Sequence, residues 1–135
     1  MATMLFVNLP VKNLKQTVEF FTKLGFTFNP DFTDDKATSM IINETTYVML
    51  LVEEFFQTFT TKKICDTKQS VEVIMALSAD TREKVDEMVN TALVNGGNAS
   101  GETQDHGWMY QRSFQDINGH LWEVVFMDVS SMPKG

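Results

Sequence analysis

Apolar and polar positions follow the same order twice along this chain. Leu5-Phe6-Val7-Asn8-Leu9-Pro10-Val11 is a short, mostly apolar run, and residues 4–11 are predicted as a buried strand. Asn13 then stands where a helix N-cap belongs, its side chain able to accept from the free amides of the first turn. Leu14, Val18, Phe21 and Leu24 fall on one helical face, and Gly25 suits the left-handed position that stops a helix. Phe26 to Phe32 resumes as extended chain, with Pro30 pushing it to a sheet edge or out of the sheet. Thr38 to Ile42 and Thr46 to Val52 read as a hairpin rich in β-branched and apolar residues. Glu53 to Phe59 is predicted as a short helical turn exposing Phe55, Phe56 and Phe59, and Thr60 to Ser70 as a polar connector.

The order then restarts. Val71 to Ala79 is the second opening strand. Asp80, with Glu83 three residues on, has the form of a capping box. Val85, Met88, Val89, Ala92 and Leu93 trace one helical stripe, which Asn95-Gly96-Gly97 ends. Gly101 to Gly107 reads as loop or weak strand. Met109 to Gln115 and His120 to Met127 form a last hairpin about Asn118-Gly119, and a tail begins at Val129. Strand, helix and about three strands, twice over, predict an α+β fold with two related sheets. If the sheets face one another they make a cup for a ligand.

Composition narrows the class. The chain has 135 residues, 43% of them hydrophobic, with eleven Phe, enough for one domain with a core that needs no staples. Module one is expected over about residues 1–60 and module two over about 70–129. A net charge of −7 argues against nucleic acid and anionic membrane, both polyanions, and an acidic surface draws in cations. The one cysteine, Cys65, cannot close an internal disulfide, which fits a cytoplasmic protein. No signal peptide or membrane-spanning run is expected. No nucleophile motif, phosphate-cradling glycine loop or zinc-finger spacing is present.

Two segments carry a family resemblance. Phe6 to Leu14 with Val18 to Phe26 resembles the opening signature of the vicinal-oxygen-chelate superfamily, and Ser113 to Val124 resembles its last hairpin. That superfamily includes glyoxalase I, bleomycin-resistance proteins, fosfomycin-resistance enzymes and extradiol dioxygenases. The resemblance implies two βαβββ modules, usually assembled as homodimers around concave sites. It also implies that each module of an enzyme gives two inward side chains, mostly His, Gln or Glu, to one divalent ion. That ion holds two neighbouring substrate oxygens while charge develops on them. Carried onto this chain, the four positions fall on Phe6, on Val48 or Met49, on Ile74 and on Glu123. Only Glu123 offers a hard donor.

The remaining chemistry-bearing residues each have two readings. Glu123 is a ligand or general base, or a carboxylate neutralised by Arg112. The second requires an even-length loop; a three-residue loop with a glycine bulge puts Ser113 opposite Glu123 instead. His120 packs at the hairpin base and bonds the turn, or binds metal, although Glu123 points to the other face. His106 is a surface residue or a catalyst entering the last hairpin. Asn8 shares the face of Phe6 and either faces the cup or satisfies a loop. Ile74 and Ala76 hold the matching places in module two.

Two functions follow. The preferred one is a metal-free protein resembling bleomycin-resistance proteins that binds a small amphiphilic molecule. Its cup would be lined by Phe6, Asn8, Ile74, Trp108, Tyr110, Arg112 and Glu123. The alternative is a metal-dependent lyase, isomerase or dioxygenase similar to glyoxalase I, with an altered shell of Glu123, His106 and Glu72. Either would act as a homodimer.

Overall fold

The computed structural model describes residues 2–133, which divide into two compact units meeting at Cys65 and Asp66. In the first, β1 (Leu5–Val11) leads into α1 (Leu14–Lys23), then β2 (Thr27–Asn29), β3 (Ala37–Ile41) and β4 (Thr46–Val52). The sheet order is β1-β4-β3-β2. β1 runs parallel to β4, and the other neighbours are antiparallel. A 3-10 turn, Pro30–Phe32, follows β2, and a short helix, α2 (Glu53–Phe56), with a second 3-10 turn, Gln57–Phe59, completes the unit.

The second unit repeats the plan. β5 (Ile74–Ser78) leads into α3 (Arg82–Val94), then the two-residue strands β6 (Asn98–Ala99) and β7 (Gln104–Asp105), then β8 (Met109–Gln115) and β9 (Leu121–Met127). The order is β5-β9-β8-β6, with β7 also on β8. The first unit is thus a βαβββ module, and the second follows the same plan with the place of one strand shared by the short β6 and β7, both paired to β8; one sheet and one long helix in each give the mixed α+β architecture expected.

Local chemistry explains the ends of these elements. Asn13 caps α1 by accepting from the Gln16 amide at 2.9 Å. Pro30 opens a 3-10 turn directly after β2, which lies at the edge of its sheet. The cap of α3 differs from expectation. Thr81, not Asp80, holds the extended cap position and accepts from the Lys84 amide at 3.1 Å. The helix starts one residue later than the Asp80 box requires.

The inward faces make two cores. In module one, Leu9, Met40, Val48 and Leu50 are buried, as are Thr17, Phe20 and Phe21 of α1. Leu14 and Val18 are only half-buried, so the buried stripe is rotated toward Thr17 and Phe20. In module two, Phe114, Trp122 and Val124 are buried, and so are Val85, Val89 and Ala92 of α3. Each Val, Leu, Met or Phe among them contributes about 1.5–3 kcal/mol by leaving water.

One hairpin sets the geometry of module two. Asp116 and His120 bracket a three-residue turn, the Asp116 amide donating to the His120 carbonyl at 3.0 Å. Gly119 takes a left-handed backbone, φ +84°, as a glycine bulge demands. The buried Asp116 carboxylate ties the turn together. It accepts from the amides of Asn118 (2.8 Å) and His120 (3.1 Å) and from the Trp122 indole (2.9 Å). Burial pushes its carboxyl above the ordinary value, while charge on His120 and these hydrogen bonds pull the other way.

Candidate functional site

Strand alternation gives each sheet an outer face opposite its helix. On the first sheet, one row across β1, β4 and β3 is Phe6, Tyr47 and Ile41, continued by Thr27 of β2. The next is Asn8, Met49, Ser39 and Asn29. The rings of Phe6 and Tyr47 stack, centroids 5.4 Å apart, and the Tyr47 hydroxyl donates to the Glu44 carbonyl at 2.9 Å. Over this face lies a hollow of about 250 Å³ lined by Met4, Phe6, Asn29, Phe32, Ser39, Tyr47 and Met49. No lining residue is charged. A second depression, about 370 Å³, adjoins Asn8, Phe56, Phe59 and Thr60. Of the three phenylalanines expected to be exposed, Phe59 is (68%), whereas Phe55 and Phe56 are half-buried.

On the second sheet, the outer row through Glu123 runs Ala76, Glu123, Ser113, and the row beside it runs Ile74, Leu121, Gln115. Glu123 is half-buried. Ser113 stands opposite it, and the Ser113 hydroxyl donates to the Ser100 carbonyl. The three-residue turn therefore selects the bulged register.

Arg112 and Tyr110 lie on the other face, against α3. Arg112 donates to Asp86 at 2.9 Å and to Asn90 at 3.0 Å; the Tyr110 hydroxyl donates to Asp86 at 2.7 Å. Those bonds, the Tyr110 one foremost, hold the Asp86 carboxyl below its ordinary range, and the same bond raises the Tyr110 phenol. The expectation that Arg112 neutralises Glu123, and that Tyr110, Arg112 and Glu123 line one surface, is thus corrected. The turn's odd residue count puts them on opposite faces of β8 and β9.

Residues around the two histidines find partners of their own. Asp105 receives both Arg82 guanidinium nitrogens, at 2.8 and 2.9 Å, which hold its carboxyl far below the ordinary range. His106 beside it is exposed, and Trp108 is half-buried. His120 is buried at the hairpin base, its Nδ1 3.6 Å from Glu72, as the packing reading expects.

The four positions that would serve a superfamily metal can now be placed. Phe6 and Met49 lie on the outer face of the first sheet, while Val48 is in the core and drops out of the pair. Ile74 and Glu123 lie on the outer face of the second. A phenyl ring, a thioether, an alkyl chain and one carboxylate do not fit a divalent-ion shell of nitrogen and oxygen donors. Among the described residues, no three His, Cys, Asp or Glu side chains converge as a metal site would need.

Asn29, Phe32, Ser39, Tyr47 and Met4 were not singled out by sequence reasoning. Alternation along β3 and β4 carries part of the signal. The pairing of Ser39 with Met49 and Asn29 becomes visible only in the folded register.

A βαβββ plan that occurs twice along the chain, each sheet with one face turned from its helix, defines a glyoxalase-like class of protein. The chain matches the model of the Glyoxalase/Bleomycin resistance protein/Dioxygenase superfamily over residues 3–124 and belongs to that superfamily. Among solved structures, it is similar to a hypothetical protein from S. aureus: 28% identity, TM-score 0.77, covering 93% of this chain and 94% of that one. A glyoxalase-related enzyme from Fulvimarina pelagi shares the fold at 14% identity and TM-score 0.78, covering 100% and 94%. A fosfomycin resistance protein from Listeria monocytogenes shares it at 17% identity and TM-score 0.63, also covering 100% and 94%. No curated protein sequence matches at a significant level.

Proposed function

We propose that this chain binds a small amphiphilic molecule without a four-ligand metal site, its first module taking the apolar part of that molecule. One observation carries the reading: an uncharged hollow with aromatic and thioether walls occupies the outer sheet face where the superfamily's first-strand position is Phe6. Hydrophobic walls with a few placed polar groups are the usual make-up of a small-molecule site. Asn8, beside Met49 in the strand register and at the second depression, would meet the polar part. Ile74 would extend the apolar surface in module two, and Trp108, Tyr110 and Arg112 would act from the far side of its sheet by fixing the position of β8. A homodimer in the cytoplasm is the proposed working form.

The test is a thermal-shift panel of naphthyl and biphenyl amphiphiles on wild type and Phe6→Ala. Binding raises the melting temperature by mass action, and Phe6 is half exposed, so its truncation spares the core. A rise that Phe6→Ala abolishes is the expected result. No rise with any member at millimolar concentration would sink the reading.

A second reading rests on Glu123, whose carboxylate lies on the outer face of the second sheet. It is a metal-dependent lyase, isomerase or dioxygenase in which Glu123 and His106 act with loop donors. Incubation with nickel, zinc, manganese or ferrous iron, desalting and metal analysis decides between the two. Close to one ion per chain, lost in Glu123→Ala, would establish the second reading over the first.

A further inference from the structure

The floor of the first-module hollow holds a polar group with no partner. Ser39 is 3% exposed, yet its hydroxyl bonds to no protein group among the described residues. Among the described residues no side-chain polar atom is both fully buried and unpartnered, so the Ser39 hydroxyl keeps a small accessible surface, and Ser39 lines the hollow. A hydroxyl with no protein partner and little access to solvent is left to pair with what enters the hollow, and a ligand that covers it without bonding it leaves it unpaired at a cost.

Asn29 stands directly opposite Ser39 in the β2–β3 pairing. Its side chain is half committed. Oδ1 accepts from the Asp31 amide at 3.0 Å, which fixes the amide plane. Nδ2 has no protein partner among the described residues, so Asn29 presents a donor and no spare acceptor on that oxygen's bonded side. Beside this pair stand the stacked rings of Phe6 and Tyr47 and the side chains of Met49 and Phe32. Two neutral donors therefore meet on one row of a flat-walled, uncharged slot.

We infer that the hollow selects a planar aromatic ring bearing a neutral oxygen acceptor, a ketone, quinone or aryl ether, with that oxygen held by Asn29 Nδ2 and the Ser39 hydroxyl. The ring lies along the Phe6–Tyr47 wall, where offset stacking adds to area burial. An ionised carboxylate is disfavoured, because the slot offers no countercharge for a desolvated ion. This rests on the binding function proposed above and names the chemistry of the part that enters.

The experiment compares 2-acetylnaphthalene with 2-ethylnaphthalene by isothermal titration calorimetry, on wild type, Ser39→Ala and Asn29→Asp. The two probes have similar shape, and only the first carries the acceptor. Asn29→Asp keeps the oxygen that caps Asp31 and replaces the donor by an acceptor, so the turn survives. Wild type should prefer the ketone by about tenfold; Ser39→Ala should lose about fivefold on the ketone, the effect of one neutral hydrogen bond, and Asn29→Asp should lose more, because it turns a carboxylate oxygen toward the ketone oxygen. Amide shifts of Ser39 and Asn29 on titration should place the ketone on their row. Equal affinity for the two probes, or a preference unchanged in both variants, would overturn the inference while leaving the binding function standing. No binding of either probe would overturn both.

Discussion

Gly25 and Gly119 both adopt left-handed backbone, φ +102° and +84°, but in different surroundings. A Cβ added at Gly25 meets nothing within 4 Å, whereas one at Gly119 collides with Thr67 Oγ1 and lies 2.9 Å from its Cβ. Thr67 is held there by donating to the Asn118 carbonyl at 2.6 Å. Gly25→Ala should therefore cost about 1–2 kcal/mol, the left-handed penalty alone. Gly119→Ala should cost about 3 kcal/mol or more, since overpacking adds to it. Urea unfolding with unchanged slope measures both, and equal losses would refute the difference. The left-handed need at both sites is readable from Asn-Gly and Leu-Gly after strand and helix patterns. The contact with Thr67, across the polar connector, is not, because no local pattern places Thr67 on the turn. Ser39 is a parallel case: a serine between Thr38 and Met40 reads as an ordinary strand residue until its opposite neighbours are known.

At the scale of elements, the α3–β8 contact is polar at its edge. Asp86 of α3 receives Tyr110 and Arg112 of β8, and its side chain is 45% exposed. Its folded carboxyl is lowered from 3.8. A lowered carboxyl contributes stability that is fully present above the unfolded value and is lost as pH falls through the folded one. Asp86→Asn should therefore be less stable than wild type at pH 7, by under about 1 kcal/mol given solvent screening. The gap should close as pH drops below 3.8. Denaturant melts of both proteins across that range check it, and a gap that widens in acid would refute it. The elements themselves were largely legible: both opening strands, both long helices and the last hairpin follow from apolar period and turn residues. The faces of β8 and β9 were not, because one residue more or less in the Asp116–His120 turn reverses every side chain on the strand. Both registers were open in the sequence, and the turn geometry chose the one that separates Arg112 from Glu123.

For the molecule as a whole, the exposed apolar surface bears on assembly. Leu5, Phe6, Phe32, Ile74 and Val94 are all more than half exposed, apolar side chains that a second copy of the chain would cover in the proposed homodimer. Light scattering at micromolar concentration should give twice the chain mass of 15.4 kDa, and a monomer mass would refute the dimer. By itself the sequence determined the duplicated strand-helix-strands order and the superfamily, because periodicity, caps and motif chemistry are local properties. The tertiary structure alone decided that Val48 leaves the outer face, that Tyr110 and Arg112 turn to α3, and that Ser39 and Asn29 meet beneath an aromatic wall. Those outcomes depend on strand register and on pairing between distant segments, where the energy of the whole sheet, not of any one residue, sets which side chains become neighbours.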